Sequence, residues 1–438
     1  MVIELSSIVR LQDIFVRFTV EVDRQSNKEV QMISSGSESF TWDGGALASA
    51  AAVVSVVRLS DGGASRAEIG DTTGLSKAVV SERVRALVDA GLLEEAGELG
   101  STGGRRATRI SFRADRVVVA AEIAMTHIRA AVVTMTGEML AEQKISVAMR
   151  QGPEEVLQTL EDLIDDQLEQ AQRAHAHGLV LCGIGVGVAG PVEFTTGRTV
   201  HPPVHPVWHD QPVRDRLAVR FGVPAWADNE VNLMALAEQH LGSGVGVDDS
   251  LVVKIGSWVG AGLISNGRLH RGAQGSAGSL ATTAGGDDIA ARAELLAISG
   301  QSEALARAAK RAPITAQVVA ELAQLGDTDC RRVLDDAAED IGKVLSVLVD
   351  FFNPAVVVVA GGVASGGGEF LARIRETIYR HSLALATRDL RIVPTVLGAD
   401  SAILGAAVMT IDELTTPAAL GGMLARLSAA TVTNEATK

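Results

Sequence analysis

The chain has 438 residues and a formal net charge of −14, and 47% of its residues are hydrophobic. This length predicts two or three domains, and the acidic balance argues against nonspecific nucleic-acid binding by the whole surface without excluding a small DNA-reading module. The sequence has only two cysteines, Cys182 and Cys330, far apart, which predicts neither a disulfide nor a cysteine-based zinc site. It shows no apolar run of membrane length and no signal-peptide pattern. We therefore predict a cytoplasmic protein without a membrane partner.

The first part of the chain predicts short helices after an N-terminal extension, residues 1–42, to which we assign no function. An Ala/Val-rich helical pattern runs from Ala46 to Leu59 and ends at a glycine pair. Ser65 is a suitable N-cap for a second helix, Arg66 to Thr72, because its hydroxyl can accept from a free backbone N–H in the first turn.

A third helix is predicted from Lys77 to Ala90, with Gly74 in the turn before it. Two strands follow, one beginning at Leu92 and the other covering Ala107 to Phe112, on either side of a polar glycine turn. Helix, helix, turn, helix and hairpin is the winged helix-turn-helix arrangement. We therefore predict a DNA-binding domain over residues 43–113, whose partner is a double-stranded DNA operator.

The sequence of the third helix predicts that one side of it faces the core of the domain and the other side faces DNA. An apolar stripe at helical spacing must face the core of the domain, and it consists of Val80, Val84, Leu87 and Val88. The outward residues near its N-terminus, with two arginines at the hairpin tip, can reach phosphates and base edges. These candidate DNA-binding residues are Ser76, Lys77, Ala78, Ser81, Arg85, Arg105 and Arg106. The alternative is a small helical bundle with an ordinary solvated charged face, and Glu82 on the presented side favours it.

From Asp115 onward, strand patterns alternate with helical patterns and glycines mark the strand ends. Val117 to Ile123 is a predicted strand, Pro153 to His175 a predicted helix, and Val356 to Ala360 a buried strand before a turn. This alternation indicates an α/β domain, which we place at residues 115–413. Residues 414–438 are small and polar and predict a flexible tail.

Four stretches of this α/β region resemble the ROK family, named for its repressors, open reading frames and kinases. They are Gly183 to Pro203, Asp228 to Glu238 (DNEVNLMALAE), Gly256 to Gly278 (GSWVGAGLISNGRLHRGAQGSAG) and Asn353 to Gly362 (NPAVVVVAGG). With the module from Ser76 onward, the resemblance covers roughly four-fifths of the chain. It implies an N-terminal winged helix-turn-helix followed by two actin-like ATPase (ribonuclease H-like) lobes.

The resemblance also implies where a ROK kinase holds ATP, and both phosphate loops depart from the family pattern here. In the first loop the acidic residue is present as Glu122, but the glycine pair that lets backbone N–H groups approach phosphates is Ala124 and Met125. In the second loop, which matches G-T-G-V-G-A-G, a tryptophan stands at position 258. We expect the indole of Trp258 to fill space that a phosphate needs.

The resemblance implies further losses at the sugar and the metal. Asn229 matches the asparagine that binds sugar hydroxyls, whereas Glu230 replaces the aspartate that acts as general base and is one methylene longer. Ser279 and Thr282 stand where the family has a sugar-binding glutamate and a zinc-binding histidine, and the cysteine-rich zinc loop is missing. We therefore expect no catalytic residues, no metal and no cofactor.

These observations predict a sequence-specific transcriptional regulator, of the repressor kind, with a non-catalytic kinase-like domain for dimerisation and effector sensing. The candidate effector cleft between the lobes is lined by Gly190, Pro191, Asn229, Glu230, Ser279 and Thr282. The expected partners are operator DNA, a sugar or sugar-like effector and further copies of the chain in a dimer or tetramer. Two alternatives stay open: an active ROK sugar kinase with an added DNA-binding module, and a regulator that senses no effector.

Overall fold

The computed structural model describes residues 42–60, 62–98, 108–175, 178–201, 205–280, 285–363 and 368–435. They form a winged helical module, two lobes built on five-stranded sheets, and a C-terminal helix that returns to the module. The predicted fold class, a winged helix-turn-helix followed by an α/β body of two lobes, is confirmed.

The N-terminal module consists of three helices and a small antiparallel sheet. Its elements are α1 (Gly44–Leu59), β1 (Ala64–Ser65), α2 (Arg66–Thr73), α3 (Lys77–Asp89), β2 (Leu93–Glu98) and β3 (Thr108–Phe112), with sheet order β1-β3-β2. Ser65 caps α2 as predicted, because its hydroxyl accepts from the Glu68 N–H at 3.2 Å while the Glu68 carboxylate accepts from the Ser65 N–H at 2.7 Å. Gly74 ends α2 with φ +70°, which lets the chain turn sharply into α3. The extension, residues 1–41, lies outside the described residues.

The first lobe has its first strand in the middle of the sheet. The strands are β4 (Arg116–Ile123), β5 (Ile128–Thr134), β6 (Met139–Ile145), β7 (Val180–Val188), β8 (Val192–Glu193), β9 (Arg198–Thr199) and β10 (Ala225–Asn229). The main sheet has the order β10-β7-β4-β5-β6, and β8 and β9 form a separate hairpin. Helices α4 (Pro153–Ala174), α5 (Val213–Phe221) and α6 (Glu230–Leu241) belong to this part of the chain. β4 and β5 are buried along their whole length, which explains why their sequences are mostly apolar.

The second lobe repeats this topology. Its strands are β11 (Ser250–Ile255), β12 (Val259–Ser265), β13 (Arg268–Leu269), β14 (Val356–Ala360) and β15 (Arg391–Pro394), in the order β13-β12-β11-β14-β15. Its helices are α7 (Gly286–Ile298), α8 (Glu303–Ala309), α9 (Ala316–Gln324), α10 (Thr328–Phe352), α11 (Gly368–His381) and α12 (Ala384–Thr387). The next helix in the chain, α13 (Ser401–Leu414), packs on β4 and β7 of the first lobe. In both sheets the first strand is central, its antiparallel partners lie on one side and two parallel strands on the other.

Helices α6 and α13 pack against each other and connect the lobes. α6 begins directly after β10 of the first lobe and packs on β11 and β12 of the second. Gly405 of α13 lies against the carbonyl of Leu233 in α6, so closely that a Cβ atom would stand 1.8 Å from that oxygen. The missing side chain therefore allows the two helices to cross, and the crossing brings Glu230 to the lobe boundary.

The flexible tail expected after residue 413 is mostly a helix, α14 (Pro417–Glu435). α14 packs on α1 of the winged module and buries Leu420, Met423, Leu424 and Leu427 in a core that the two helices share. Composition concealed this helix because its polar residues lie between apolar ones at helical spacing. Within the described residues no single helix is long and apolar enough to cross a membrane, and one pair, residues 398–414 and 417–429, passes by length and composition only when its two arms, bent by 85°, are counted together.

Candidate functional site

Helix α3 presents the residues predicted to contact DNA. Val80, Val84 and Leu87 are at most 1% exposed and fix the helix in the core of the module. The predicted contact residues of the helix are all exposed on its other side: Ser76, Lys77, Ala78, Ser81 and Arg85. Arg105 and Arg106, which were predicted at the hairpin tip, lie outside the described residues. Contact with DNA stays a prediction, and the buried and exposed sides of α3 are those that such a contact needs.

The charges on α3 leave two cations available. Neither Lys77 nor Arg85 forms an ion pair within the described part of the chain. Arg83, in contrast, pairs with Glu82 at 3.1 Å and donates to the Ser49 hydroxyl of α1 at 2.8 Å. Glu82, which favoured an ordinary solvated surface, is thus neutralised by its neighbour. A polyanion is the natural partner for the two unpaired cations.

The winged module is attached to the lobes by polar contacts as well as by α14. Arg58 of α1 pairs with Asp412 of α13, the helix that packs against α6 between the lobes. Arg116, at the start of β4, donates to the carbonyl of Gly91 in the module at 2.7 Å and is 5% exposed. A rearrangement of α13 therefore acts directly on the helix that supports α3.

The first phosphate loop of the predicted kinase pattern is a tight turn between β4 and β5. Its Ala124 N–H donates to the carbonyl of His127 at 2.9 Å and is therefore not free to bind a phosphate. Glu122, before the turn, is 4% exposed, and its carboxylate lies 3.6 Å from His127 Nε2. Burial by itself would raise the pKa of Glu122, but His127 and the ammonium of Lys254 outweigh this effect and lower the pKa.

Lys254 of β11 occupies the centre of the interlobe site. Its Nζ lies 2.6 Å from Glu230 Oε2 at the start of α6. Burial alone would lower the pKa of Lys254, but the charges of Glu230 and Glu122 outweigh burial and raise it, so the ammonium persists. The carboxylate at the predicted base position is thus bound to a cation that belongs to the chain.

Asn229, the predicted sugar contact, is occupied by structural hydrogen bonds. Its side-chain oxygen accepts from the Val231 N–H at 2.8 Å and caps α6, while its amide donates to the Gly190 carbonyl at 2.6 Å. The structure therefore brings Gly190, Asn229 and Glu230 together at the start of α6, and Pro191 follows Gly190 in the chain. Their arrangement is explained by helix capping without a ligand.

A second charged pair joins the lobes near this site. Arg271, after β13, pairs through Nε with Asp228 Oδ2 of β10 at 2.7 Å, and Asp228 is 0% exposed. Asn232 donates to the other carboxylate oxygen at 2.8 Å, and the guanidinium of Arg271 lies 3.7 Å from the ring centroid of Phe194. These contacts leave Asp228 fully paired.

Two residues of the second lobe, Ser279 and Thr282, were expected at the cleft. Ser279 is exposed and pairs with Gly260 of β12 through an isolated backbone bridge. Gly260 itself lies against Val231, the neighbour of Glu230, so Ser279 borders the site. Thr282 lies outside the described residues. Among those described, no three His, Cys, Asp or Glu side chains are grouped so that they could hold a metal ion.

Trp258 lies in the turn between β11 and β12 and is 40% exposed. That its indole fills the space of a phosphate stays a prediction. The side chain that occupies the centre of the site is Lys254, four residues earlier.

Gly361 and Gly362, the glycines retained after β14, differ in their structural need for glycine. Gly361 has φ +105°, and a Cβ there would stand 2.2 Å from the Ile255 carbonyl oxygen. A Cβ on Gly362 would meet no atom of the described residues within 4 Å. The turn therefore explains Gly361 but not Gly362.

Sequence reasoning missed Lys254, Asp228 and Arg271 as members of the site. A signal for Lys254 was present, because it is the one charged residue in the buried strand sequence Ser250–Ile255. An unpaired charge does not persist in such a strand, so a partner was implied. The position of that partner on another lobe could not be read from spacing.

Comparison with known proteins agrees with this architecture. A family model described as ROK family matches residues 118–413, and one described as winged helix-turn-helix DNA-binding matches residues 59–94. The chain is 27% identical over 371 residues to a xylose repressor of Caldicellulosiruptor bescii, a match that covers 80% of this chain and 92% of the repressor. It is also 27% identical over 313 residues to a glucokinase of Halalkalibacterium halodurans, but that match covers only 66% of this chain, with 94% of the kinase.

A solved structure shares the whole fold. It is a ROK family transcriptional regulator described as a homologue of the Escherichia coli MLC protein, with a TM-score of 0.72 and 20% identity. The match covers 87% of this chain and 99% of the other. At this identity the likeness concerns the fold, and it extends over the winged module as well as the lobes.

Proposed function

We propose that this chain, which belongs to the ROK family and is a DNA-binding transcriptional regulator of the ROK type, represses its target genes and has no kinase activity. The observation that carries the proposal is helix α3. Three buried apolar residues fix one side of it, and its exposed side carries Lys77 and Arg85, which form no ion pair with the described residues. Placed in a major groove, that side offers Arg85 to base edges and Lys77 to phosphates.

The repressor mechanism requires two recognition helices at a fixed spacing. Helix-turn-helix proteins read two half-sites one helical turn apart or at multiples of that distance, so we propose that the chain acts as a homo-oligomer. The Arg58–Asp412 ion pair and the packing of α14 on α1 connect each module to α13. A change in lobe orientation would move the modules and alter that spacing.

The absence of kinase activity is proposed from the state of the base. Glu230 Oε2 lies 2.6 Å from the ammonium of Lys254, so this carboxylate oxygen is engaged within the chain rather than free to approach a sugar hydroxyl. The side chain of Asn229 caps α6, and the Ala124 N–H is hydrogen-bonded within its own turn. A relative is a glucokinase, so this point needs a direct measurement.

The DNA-binding proposal is tested by mapping bound sites across the genome and measuring affinity for the recovered operator by fluorescence anisotropy. Arg85→Ala should lose about 1–3 kcal/mol, roughly 5- to 150-fold in affinity, and relax the preference at one base pair. Arg307→Ala is the matched control, because Arg307 is also exposed but lies on α8 of the second lobe. Equal operator affinity and equal preference for both variants would refute the assignment of α3.

The kinase proposal is tested by ATP turnover with common hexoses in a coupled assay. The wild-type protein should show no more turnover than Glu230→Ala, which lacks the carboxylate at the base position. Turnover above that control with any hexose would establish the alternative of an active kinase.

A sugar or sugar-like effector, proposed for the cleft beside Gly190, Pro191 and Ser279, is tested separately by thermal shift. A ligand that binds only the folded protein, present at a hundred times its Kd, adds about 2.7 kcal/mol of stability. A saturable shift with one carbohydrate would support sensing, and operator affinity must then change with the same ligand because only differential affinity moves the lobes. A panel without any shift would favour a regulator that senses no effector.

A further inference from the structure

Lys254 is a charged residue within a buried strand, where a charge without a partner is unfavourable. Its neighbours in β11 from Leu251 to Ile255 are at most 1% exposed. The Lys254 side chain is 23% exposed, and the Glu230 side chain that it contacts is 9% exposed. Removing two charges from water is unfavourable unless each compensates the other, so this contact holds its two elements together.

The contact lies at the boundary of the two lobes, where α6 leaves β10 of the first lobe and packs on β11 and β12 of the second. Lys254 belongs to the central strand of the second lobe, and Glu230 directly follows β10 of the first. Arg271 and Asp228 form a parallel pair, again with the cation on the second lobe and the carboxylate on the first. Both connections are made by side chains of this chain alone.

Glu122 places a second carboxylate beside the first. It pairs with Gly187 across β4 and β7, and a Cβ on Gly187 would lie 3.8 Å from the Glu230 Cβ. Two neighbouring carboxylates are the donor set that a divalent cation prefers. Here, however, the ammonium already stands 2.6 Å from one of them.

The family's fold implies a nucleotide with its metal ion in this cleft. The residues present do not fit that metal ion. A divalent cation held by Glu122 and Glu230 would lie beside the ammonium of Lys254 and be repelled by it. Glu230, the carboxylate that contacts Lys254, would then be shared between the ammonium and the metal ion. The site is built for one cation, and the chain provides it.

We propose that the ammonium of Lys254 is a built-in cation of the interlobe cleft, which excludes a divalent metal ion from the two carboxylates and holds the lobes closed without a ligand. This inference deepens the proposed non-catalytic role of the cleft. Its readouts are cation binding and lobe closure, so failure of operator binding or of the kinase proposal would be recognised separately.

The test is Lys254→Met, which keeps the length of the side chain and removes its charge. Mn²⁺ binding to the full chain is measured by calorimetry, and lobe closure by the radius of gyration from small-angle X-ray scattering. We expect the variant to bind Mn²⁺ at least about a hundredfold more tightly than the wild type, because a unit charge about 4 Å away is removed. Without Mn²⁺ its radius of gyration should increase.

Lys343→Met is the matched control, since Lys343 pairs with Glu339 on the surface of α10 with its side chain 49% exposed. It should retain the wild-type radius and lack the gained Mn²⁺ site. Adding Glu230→Gln to Lys254→Met should abolish that site, which places it at the two carboxylates.

Equal Mn²⁺ binding and equal radii for the wild type and Lys254→Met would overturn the proposal. If Lys254→Met does not fold, the double variant with Glu230→Gln carries no unpaired Glu230 and takes its place in the scattering experiment. A radius equal to that of the wild type would then refute closure by this pair.

Discussion

Leu424→Ala should loosen the winged module from the lobes. Leu424 lies in α14 and is 1% exposed in the core that this helix shares with α1. Removing three buried carbon atoms loses about 2.4 kcal/mol of transfer free energy. The cavity left behind brings the loss to about 3 kcal/mol, since the surrounding helices close it only in part. At 1.4 kcal/mol for each factor of ten, α1 and α14 should separate about a hundredfold more often.

Hydrogen exchange followed by mass spectrometry measures this separation, because the amides of α1 exchange through local opening. Protection of α1 should fall in Leu424→Ala, whereas the fully buried strand β5 keeps its protection. Ser428→Ala is the control on the same helix, where Ser428 is exposed. If α1 exchanged equally in the two variants, α14 would not hold the module. The packing of α14 on α1 would then contribute nothing to the stability of α1.

Three further perturbations test single interactions. Lys77→Ala should weaken operator binding on all sequences alike and lower the slope of log affinity against log salt by about 0.9, measured by anisotropy at several salt concentrations. Asp228→Asn leaves Arg271 without its buried partner and should destabilise the protein by about 3–5 kcal/mol in urea unfolding, while Asp389→Asn, at an 82% exposed side chain, changes it by less than about 0.5 kcal/mol. Gly361→Ala should lower the melting temperature where Gly362→Ala does not, because only the first places a Cβ against a carbonyl.

The elements of the winged module could be predicted because each is specified locally. Ser65 and Glu68 form a capping box within four residues, and Gly74 has a positive φ that few other residues adopt. Strands β4 and β14 were equally plain, since burial on both faces favours a mostly apolar run. In these cases the structure follows from interactions between near neighbours in the chain.

What failed depends on distant neighbours. α14 looked like a polar tail because its apolar residues gain a partner only where α1, hundreds of residues earlier, lies beside it. The pairing of Lys254 with Glu230 likewise requires the closed arrangement of two sheets.

The interlobe pair also changes how the retained carboxylate is interpreted. From the motif alone, Glu230 is a base that has become one methylene too long, and its acidity suggests a remnant of catalysis. In the structure its oxygen lies 2.6 Å from the ammonium of Lys254, a residue of the second lobe that the motif did not indicate. One explanation covers both departures from the kinase pattern, because the longer acid and the lysine complete each other across the lobes. The carboxylate is then retained as the counter-charge of Lys254, because its oxygen is engaged by that ammonium rather than free to approach a hydroxyl group.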